Sequence, residues 1–283
     1  MNGYSSHTFK WVNEKGDVHF VKYHFKTDQG IKNFTAAELD QMSLKDKDFS
    51  TSDLYNAIAA KNFPSWTWHV QIMPEKDAEN YRFDVLDITK VWPHSDYPLV
   101  KVGKMTLNRN PENYHAEVEQ SAFSPSHFVP GIEPSNDKML QGRLFSYPDT
   151  HRYRLGKNYE QIQLTAHTEP EFILTSEMVL LLLTETMVDN QTMSQTQWED
   201  QFGPKFAWAK ENVSGQVGRH VYSHPNTYYE QPRTLWQKVF TETDREHLIS
   251  NLSGPLSGAR RDIQEGMLAH FYKIDPDYGT RLA

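Results

Sequence analysis

Apolar and polar positions alternate through much of the first hundred residues, as they do in β-strands that are buried on one face. Residues 8–12 and 18–25 are rich in β-branched and aromatic side chains, and a polar turn containing Gly16 separates them. Apolar side chains then occupy every second position of residues 66–72, and residues 99–107 have a similar composition. This pattern predicts an antiparallel sheet that begins with a hairpin.

Residues 35–60 follow a helical pattern instead. Thr35 precedes Glu38 by three positions, which is the spacing of a capping box at a helix N-terminus. The polar residues 51–53 stand before an apolar run and predict the start of a second short helix. We therefore expect a helical insertion between strands of the sheet.

The end of the chain is also helical in pattern. Residues 241–252 and 260–272 are amphipathic, and the second segment carries an apolar stripe made of Ile263, Met267, Leu268 and Phe271. Residues 111–156, by contrast, are irregular and contain several prolines, which is typical of a segment that wraps around other elements. The whole pattern predicts an α+β fold with a small helical subdomain from about residue 235 onward.

Composition excludes several function classes. The 283 residues include no cysteine, which excludes disulfides and thiolate chemistry, and a net charge of −8 argues against a nucleic-acid-binding surface. Residues 1–7 contain no secretory signal, and the apolar run at residues 178–183 is too short to cross a bilayer. We therefore expect a soluble intracellular protein that binds neither nucleic acid nor membrane.

Residues 143–154, with the sequence RLFSYPDTHRYR, contain the most specific chemical pattern. In a helix, the spacing of Arg143, Tyr147, His151 and Arg154 places all four on one face. Positive charge near a phenol favours the phenolate, and a tyrosine phenolate is an axial ligand of ferric haem iron in catalase. The alternative reading is a tyrosine in an ordinary helix interface with arginines on the surface.

This segment resembles the proximal haem-ligand motif of the monofunctional haem catalases. Further resemblances follow in the family's order at residues 2–9, 23–30, 90–94, 107–111, 117–120, 130–133 and 137–142. The resemblance implies a partial antiparallel β-barrel with a wrapping loop and a C-terminal helical subdomain. It divides the chain into a partial core (1–165), a divergent segment (166–216) and the helical subdomain (217–283).

The resemblance also implies roles for individual residues around haem b. Tyr147 corresponds to the axial ligand of the iron, and Arg143 to the residue that keeps its phenol ionised. His7 and Asp137 match a charge relay behind that arginine, although a purely structural pair is an equal alternative. The other residues assigned to the haem are Arg154, at a propionate, together with Met139 and His151.

A second set of positions matches part of the family's NADPH site. These residues are Asn2, Tyr4, Lys26, Trp92 and His94. A lysine and a histidine beside an aromatic surface suit a dinucleotide, whose phosphates are anionic. For Trp92 and His94, packing in the core and in a turn is the alternative. The family's other NADPH contacts precede the position that corresponds to Met1.

The resemblance implies an incomplete catalytic centre in this chain. The family's distal histidine, distal asparagine and the serine that supports the histidine all precede its Asn-Gly-Tyr segment, which is residues 2–4 here. None of the three has a counterpart, so we expect a truncated copy with negligible activity. The divergence at residues 166–216 suggests a shifted reading frame or a mis-joined exon, a hypothesis that transcript sequencing would test.

Two functions follow from these observations. The first is a catalase-family haem protein whose parent reaction converts two hydrogen peroxide molecules to water and dioxygen, in the cytoplasm or the peroxisome. The family assembles as a homotetramer. The alternative is a non-catalytic haem-binding or interaction module that retains part of the catalase fold.

Overall fold

The computed structural model describes residues 1–162, 164, 209–210 and 228–283. Its strands are β1 (Gly3–Tyr4), β2 (Phe9–Val12), β3 (Val18–Thr27), β4 (Ser65–Pro74), β5 (Val100–Thr106) and β6 (Ile132–Pro134). The helices are α1 (Ala36–Lys45), α2 (Phe49–Ala59), α3 (Glu75–Ala78), α4 (Lys138–Leu155), α5 (Glu230–Thr234), α6 (Glu242–Ser257), α7 (Arg261–Ile274) and α8 (Pro276–Leu282). Shorter helical turns lie at His115–Glu119, Tyr159–Gln161 and Leu235–Val239.

The strands of this described part form one antiparallel sheet in the order β5-β4-β3-β2-β6, and β1 pairs with the end of β3. The β2–β3 hairpin has Phe9 opposite Val21 and Val12 opposite Val18. The predicted hairpin and sheet are therefore confirmed. The sheet does not close into a barrel, and Val100 and Val102 on its edge strand β5 are both 46% exposed.

The two faces of the sheet differ in composition because side chains alternate along each strand. One face, which we call the aromatic face, carries half-buried rings, and Phe25 stacks on Trp68 with 5.7 Å between ring centroids. The opposite face, which we call the packed face, carries Met73 against Phe83 and Val85 in a buried cluster. The core of the molecule therefore lies on the packed face, under residues 75–97.

The helical insertion is confirmed as α1 and α2. Thr35 and Glu38 form the predicted capping box at the start of α1. The predicted start of α2 at residues 51–53 is wrong, because the helix begins at Phe49 after Asp48, whose side chain makes no capping bond. Phe49 packs edge-on against Phe34 at 5.7 Å, and this contact supports an earlier start.

Helices occupy most of the described residues 230–283, within the region where the sequence predicts a helical subdomain. Trp236 is buried and stacks on Tyr278 with 4.5 Å between ring centroids, so α8 folds back over the turn that precedes α6. The predicted stripe of α7 is only partly covered, since Ile263 is 48% exposed. No helix in the described residues is long and apolar enough to cross a membrane. Most of the divergent segment 166–216 lies outside the described residues.

Candidate functional site

A buried histidine–carboxylate pair fixes the start of α4. His7 Nδ1 and Asp137 Oδ2 lie 2.5 Å apart, and the two side chains are 2% and 7% exposed. The other carboxylate oxygen, Oδ1, accepts the backbone N–H groups of Met139 and Leu140. Asp137 is therefore both the N-cap of α4 and the partner of His7, which links the helix to the strand β2 region.

Buried hydroxyl groups hold this pair in place. The Ser135 hydroxyl donates to the carbonyl of Thr8, and the Thr8 hydroxyl donates to the carbonyl of Val85. Gln141, on the first turn of α4, donates to the carbonyl of Ser135 at 2.9 Å. Since Ser135 is fully buried, these bonds satisfy polar groups that would otherwise cost free energy.

Arg143 and Tyr147 meet one helical turn apart on α4. The guanidinium Nη2 donates to the phenol oxygen at 2.7 Å, and the guanidinium carbon lies 5.1 Å from the centre of the ring. Both side chains are half-buried. The phenol oxygen of a tyrosine is one of the few protein groups that bind ferric haem iron, and here a guanidinium fixes its position. The donor chemistry present at Tyr147 therefore fits an oxygen-ligated haem.

The other predicted haem residues have different surroundings. His151 Nε2 donates to the carbonyl of Phe123 at 2.9 Å, and the two Nη atoms of Arg154 donate to the carbonyls of Glu119 and Ser121 at 2.6 Å. These bonds hold the end of α4 against residues 119–123. Met139 is 56% exposed on the first turn of the helix.

Three of the predicted dinucleotide residues lie together. Lys26 Nζ donates to the Tyr4 phenol at 3.0 Å and lies 4.7 Å from the ring centre, and Asn2 Nδ2 donates to the same phenol at 3.1 Å. The hydrogen bond from Lys26 lowers the pKa of Tyr4. The Asn2 amide oxygen also accepts the backbone N–H of Thr27 at 3.0 Å, so β1 and β3 fix this group together.

His24 connects these residues with the segment that carries the other two. Its ring lies 5.4 Å from Tyr4 and 6.1 Å from the exposed His94. Burial lowers the pKa of His24 to about 4, so its imidazole is neutral near pH 7. Trp92 is fully buried, so its indole presents no exposed surface to a ligand.

Sequence reasoning missed two polar residues beside this group. Gln71 is fully buried although it lies in a strand of apolar and aromatic residues, and Lys22 is 8% exposed on the neighbouring strand. Burial lowers the pKa of Lys22 to about 8. The sequence signal that could have identified Gln71 is its place in the alternation of β4. That place puts Gln71 on the packed face, on the strand next to His24.

Comparison with known proteins gives consistent results along the chain. The family model described as Catalase matches residues 1–178, and the model described as Catalase-related immune-responsive matches residues 222–283. The chain is 48% identical to the peroxisomal catalase of Toxoplasma gondii and 49% identical to the catalase of Methanosarcina barkeri. All of the chain is covered in both comparisons, together with 57% and 56% of these relatives.

Solved structures give the same result for the fold. A fungal catalase superposes with a TM-score of 0.81 at 39% identity, covering 100% of this chain and 57% of the other. Catalase A from Saccharomyces cerevisiae gives a TM-score of 0.79 at 35% identity, covering 100% of this chain and 59% of the other. The chain therefore spans somewhat more than half the length of the proteins that it matches.

Proposed function

The chain belongs to the catalase family, and from that premise we propose that it provides the proximal side of a haem b site for the decomposition of hydrogen peroxide. The observation that carries the proposal is the bond from Arg143 to the phenol of Tyr147 on α4. When bound, ferric haem supplies the redox chemistry that converts two hydrogen peroxide molecules to two water molecules and dioxygen.

The proposal gives a role to each of the predicted haem residues. Tyr147 would bind the iron through its phenol oxygen, and Arg143 would hold that oxygen in place through its hydrogen bond. His7 and Asp137 fix the first turn of α4 and so the direction in which the helix presents Tyr147. The remaining proposed contacts are Met139 and His151 with the macrocycle and Arg154 with a propionate.

The guanidinium of Arg154 has a geometry that suits a carboxylate. Its guanidinium carries five N–H donors in a planar fork, and two nitrogen atoms of that fork donate to backbone carbonyls here. A propionate would compete with these carbonyls or share the fork with them. Loss of Arg154 is therefore expected to weaken haem retention and also to loosen residues 119–123.

We also propose that Asn2, Tyr4, Lys26, Trp92 and His94 form part of an NADPH site. Support comes from the Lys26–Tyr4 contact and from the closeness of His24 to both Tyr4 and His94. Lys26 and His94 supply the cationic and donor groups that phosphates require. Trp92, being buried, acts here as the packed support of the segment that presents His94.

Substitution of the axial ligand tests the haem proposal. The chain is reconstituted with haem, and the Soret band of Tyr147→Phe is compared with that of the unsubstituted chain. We expect a shifted Soret band or lost haem, because phenylalanine has no oxygen to bind iron. Tyr153→Phe is the matched control, since Tyr153 lies on the same helix and is 85% exposed. An unchanged Soret band in Tyr147→Phe would contradict axial ligation.

A second candidate function is a non-catalytic haem-binding or interaction module. The exposed surface of α4 favours it, since Phe145 and Tyr153 are 82% and 85% exposed there. Haem binding without oxygen evolution by the 283-residue chain would support this candidate. We further propose that the protein assembles as a homotetramer, as the family does. We also propose that it acts in the peroxisome or the cytoplasm, and one relative is a peroxisomal catalase.

A further inference from the structure

The residue that precedes His7 has an unusual backbone conformation. Ser6 has a φ of 60°, in the left-handed region that residues other than glycine rarely adopt. The N–H of His7 donates to the carbonyl of Ser5 at 2.7 Å, which closes a three-residue turn around Ser6. Such a turn with a positive φ at its centre is rare and strained. The Ser6 side chain is exposed, so its backbone rather than its side chain sets the direction in which the chain enters His7.

Hydrogen bonds to β3 hold this turn in place. The Ser5 N–H donates to the carbonyl of Tyr23 at 3.1 Å, and the Tyr23 N–H donates to the Ser5 hydroxyl at 3.2 Å. The same hydroxyl donates to the carbonyl of His7 at 2.9 Å. A strained backbone persists only where its surroundings over-determine it, and such residues cluster at functional sites. The turn around Ser6 therefore fixes His7 from its N-terminal side.

Ser135 fixes the same histidine from its C-terminal side. The ladder between β2 and β6 ends at Pro134, which has no N–H with which to extend it. The hydroxyl of the next residue, Ser135, donates to the carbonyl of Thr8, which adjoins His7. This hydroxyl also lies 3.5 Å from the backbone nitrogen of Asp137. One fully buried hydroxyl therefore bridges the backbone beside His7 and the backbone of its partner.

The backbone of α4 connects this pair with Tyr147. Asp137 Oδ2 faces His7 and Oδ1 caps the helix, and in the described part of the chain no hydrogen bond joins Asp137 to Arg143. Tyr147 lies about 15 Å from Asp137 along the helix axis, at a rise of about 1.5 Å per residue. A tilt of about 5° at the first turn would move the phenol by about 1 Å, whereas metal–ligand distances hold to within about 0.2 Å.

We propose that Ser6 and Ser135 are positioning residues of the proximal haem side, because the strained turn and the buried hydroxyl hold His7 against Asp137 and so direct Tyr147 toward the iron. This inference rests on the proposed haem site and adds two residues to it. Ser6 acts through its backbone, so glycine can replace it. Ser135 acts through its hydroxyl, so alanine cannot replace it.

Two readouts on the full chain test the inference. The first is the NMR resonance of the proton between His7 Nδ1 and Asp137 Oδ2, which is shifted far downfield by a bond of 2.5 Å and requires no haem. The second is the Kd for haem, obtained by titration of the Soret band.

Three variants separate the backbone role from the hydroxyl role. Ser6→Val places a β-branched residue at a positive φ, and Ser135→Ala removes the buried hydroxyl. Each is expected to abolish the downfield resonance and to raise the Kd for haem by roughly tenfold. Ser6→Gly adopts the turn without strain, so it is expected to keep the resonance, to leave the Kd within about twofold and to raise the melting temperature.

Lys61→Val and Ser65→Ala are the matched controls. Lys61 is exposed like Ser6, and among the described residues other than glycine these two alone have a positive φ. Ser65 is a buried serine on β4 whose hydroxyl donates to Asp28 at 2.7 Å. Both controls are expected to lower the melting temperature while keeping the resonance and the Kd. If Ser6→Val fails to fold, Ser135→Ala decides alone.

The outcomes separate this inference from the function on which it rests. Loss of the resonance and weaker haem binding in Ser6→Val and Ser135→Ala, with both signals kept in Ser6→Gly and the controls, supports the inference. A retained resonance or an unchanged Kd in Ser6→Val and Ser135→Ala overturns it and leaves the haem site standing. Equal losses in Ser6→Gly and Ser6→Val overturn the role of the Ser6 backbone. No haem binding by the unsubstituted chain removes the proposed function and the inference together.

Discussion

The α4 region and the loop of residues 90–97, which we call the 90–97 loop, both carry residues proposed to bind cofactors, yet their side chains are buried to very different extents. Along α4 only Leu140 and His151 are buried, while Phe145 and Tyr153 are 82% and 85% exposed. Around the loop, Trp92 is 0% exposed within a packed cluster. Large apolar side chains that are exposed together mark a surface that binds a ligand or another protein.

The difference shows which of the two proposed cofactor sites is packed within this chain. The 90–97 loop packs against a buried cluster, and side chains from the sheet and from α5 donate hydrogen bonds to its backbone. The α4 side has the phenol proposed as the iron ligand and its arginine, but an exposed helix surface surrounds them. We therefore expect stability to depend on the loop side and activity to depend on what covers α4.

Peroxide turnover should show the largest effect. Under the proposal these 283 residues provide the proximal side of the haem, whereas the proton transfers of peroxide cleavage require a group on the opposite side. General acid–base groups contribute roughly 10²–10⁴-fold, so oxygen evolution should fall below that of an intact catalase by at least that factor. An oxygen electrode measures this with the haem-loaded chain. Turnover close to that of an intact relative would contradict the proposed division between the two sides.

Core substitution compares the two regions directly in stability. Met73→Ala removes a fully buried side chain beside Trp92 and should cost about 2–5 kcal/mol of unfolding free energy. Phe145→Ala on α4 is the matched control and should change it by no more than about 0.5 kcal/mol. Urea denaturation measures both values. Equal losses in the two variants would show that α4 is packed as tightly as the core.

Substitution of Asp137 tests how strongly the buried pair at the start of α4 stabilises the protein, although much of the helix surface is exposed. Asp137→Ala removes both the helix cap and the partner of buried His7, and should cost about 2–3 kcal/mol. Asp137→Asn keeps a capping oxygen and should recover about 1 kcal/mol of that loss. The difference between the variants, measured by urea denaturation, isolates the cap. Identical losses would argue that the cap adds nothing.

His24 should make the loop side sensitive to acid. Its folded pKa of about 4 lies below its ordinary value, so the unfolded chain binds the proton more tightly. The stabilisation is complete above about pH 6.5 and is lost as the pH falls toward 4. At pH 4.5 the loss should be on the order of 2 kcal/mol. His24→Gln should lose less unfolding free energy between pH 7 and 4.5, and a variant with the same pH dependence would exclude His24 as its source.

Local patterns in the sequence predicted those features that depend on neighbouring residues. The Thr35–Glu38 capping box spans three positions, and the Arg143–Tyr147 contact spans four, so helix geometry alone brings the partners together. The start of α2 was mispredicted because a contact with Phe34, from outside the helix, supports its first turn. Tertiary contacts routinely override such local signals.

The sequence by itself therefore determined the first hairpin, the helical insertion, the family and the pairing of a phenol with a guanidinium. The prediction that residues 111–156 are irregular is wrong, because β6 and α4 lie within them. Only the tertiary structure decided that His7 meets Asp137 across 130 positions and that Gln231 reaches Val91 across 140. It also decided that Trp92 is core rather than surface. The physical reason is that these contacts depend on strand register and on the packing of distant segments, which no local periodicity encodes.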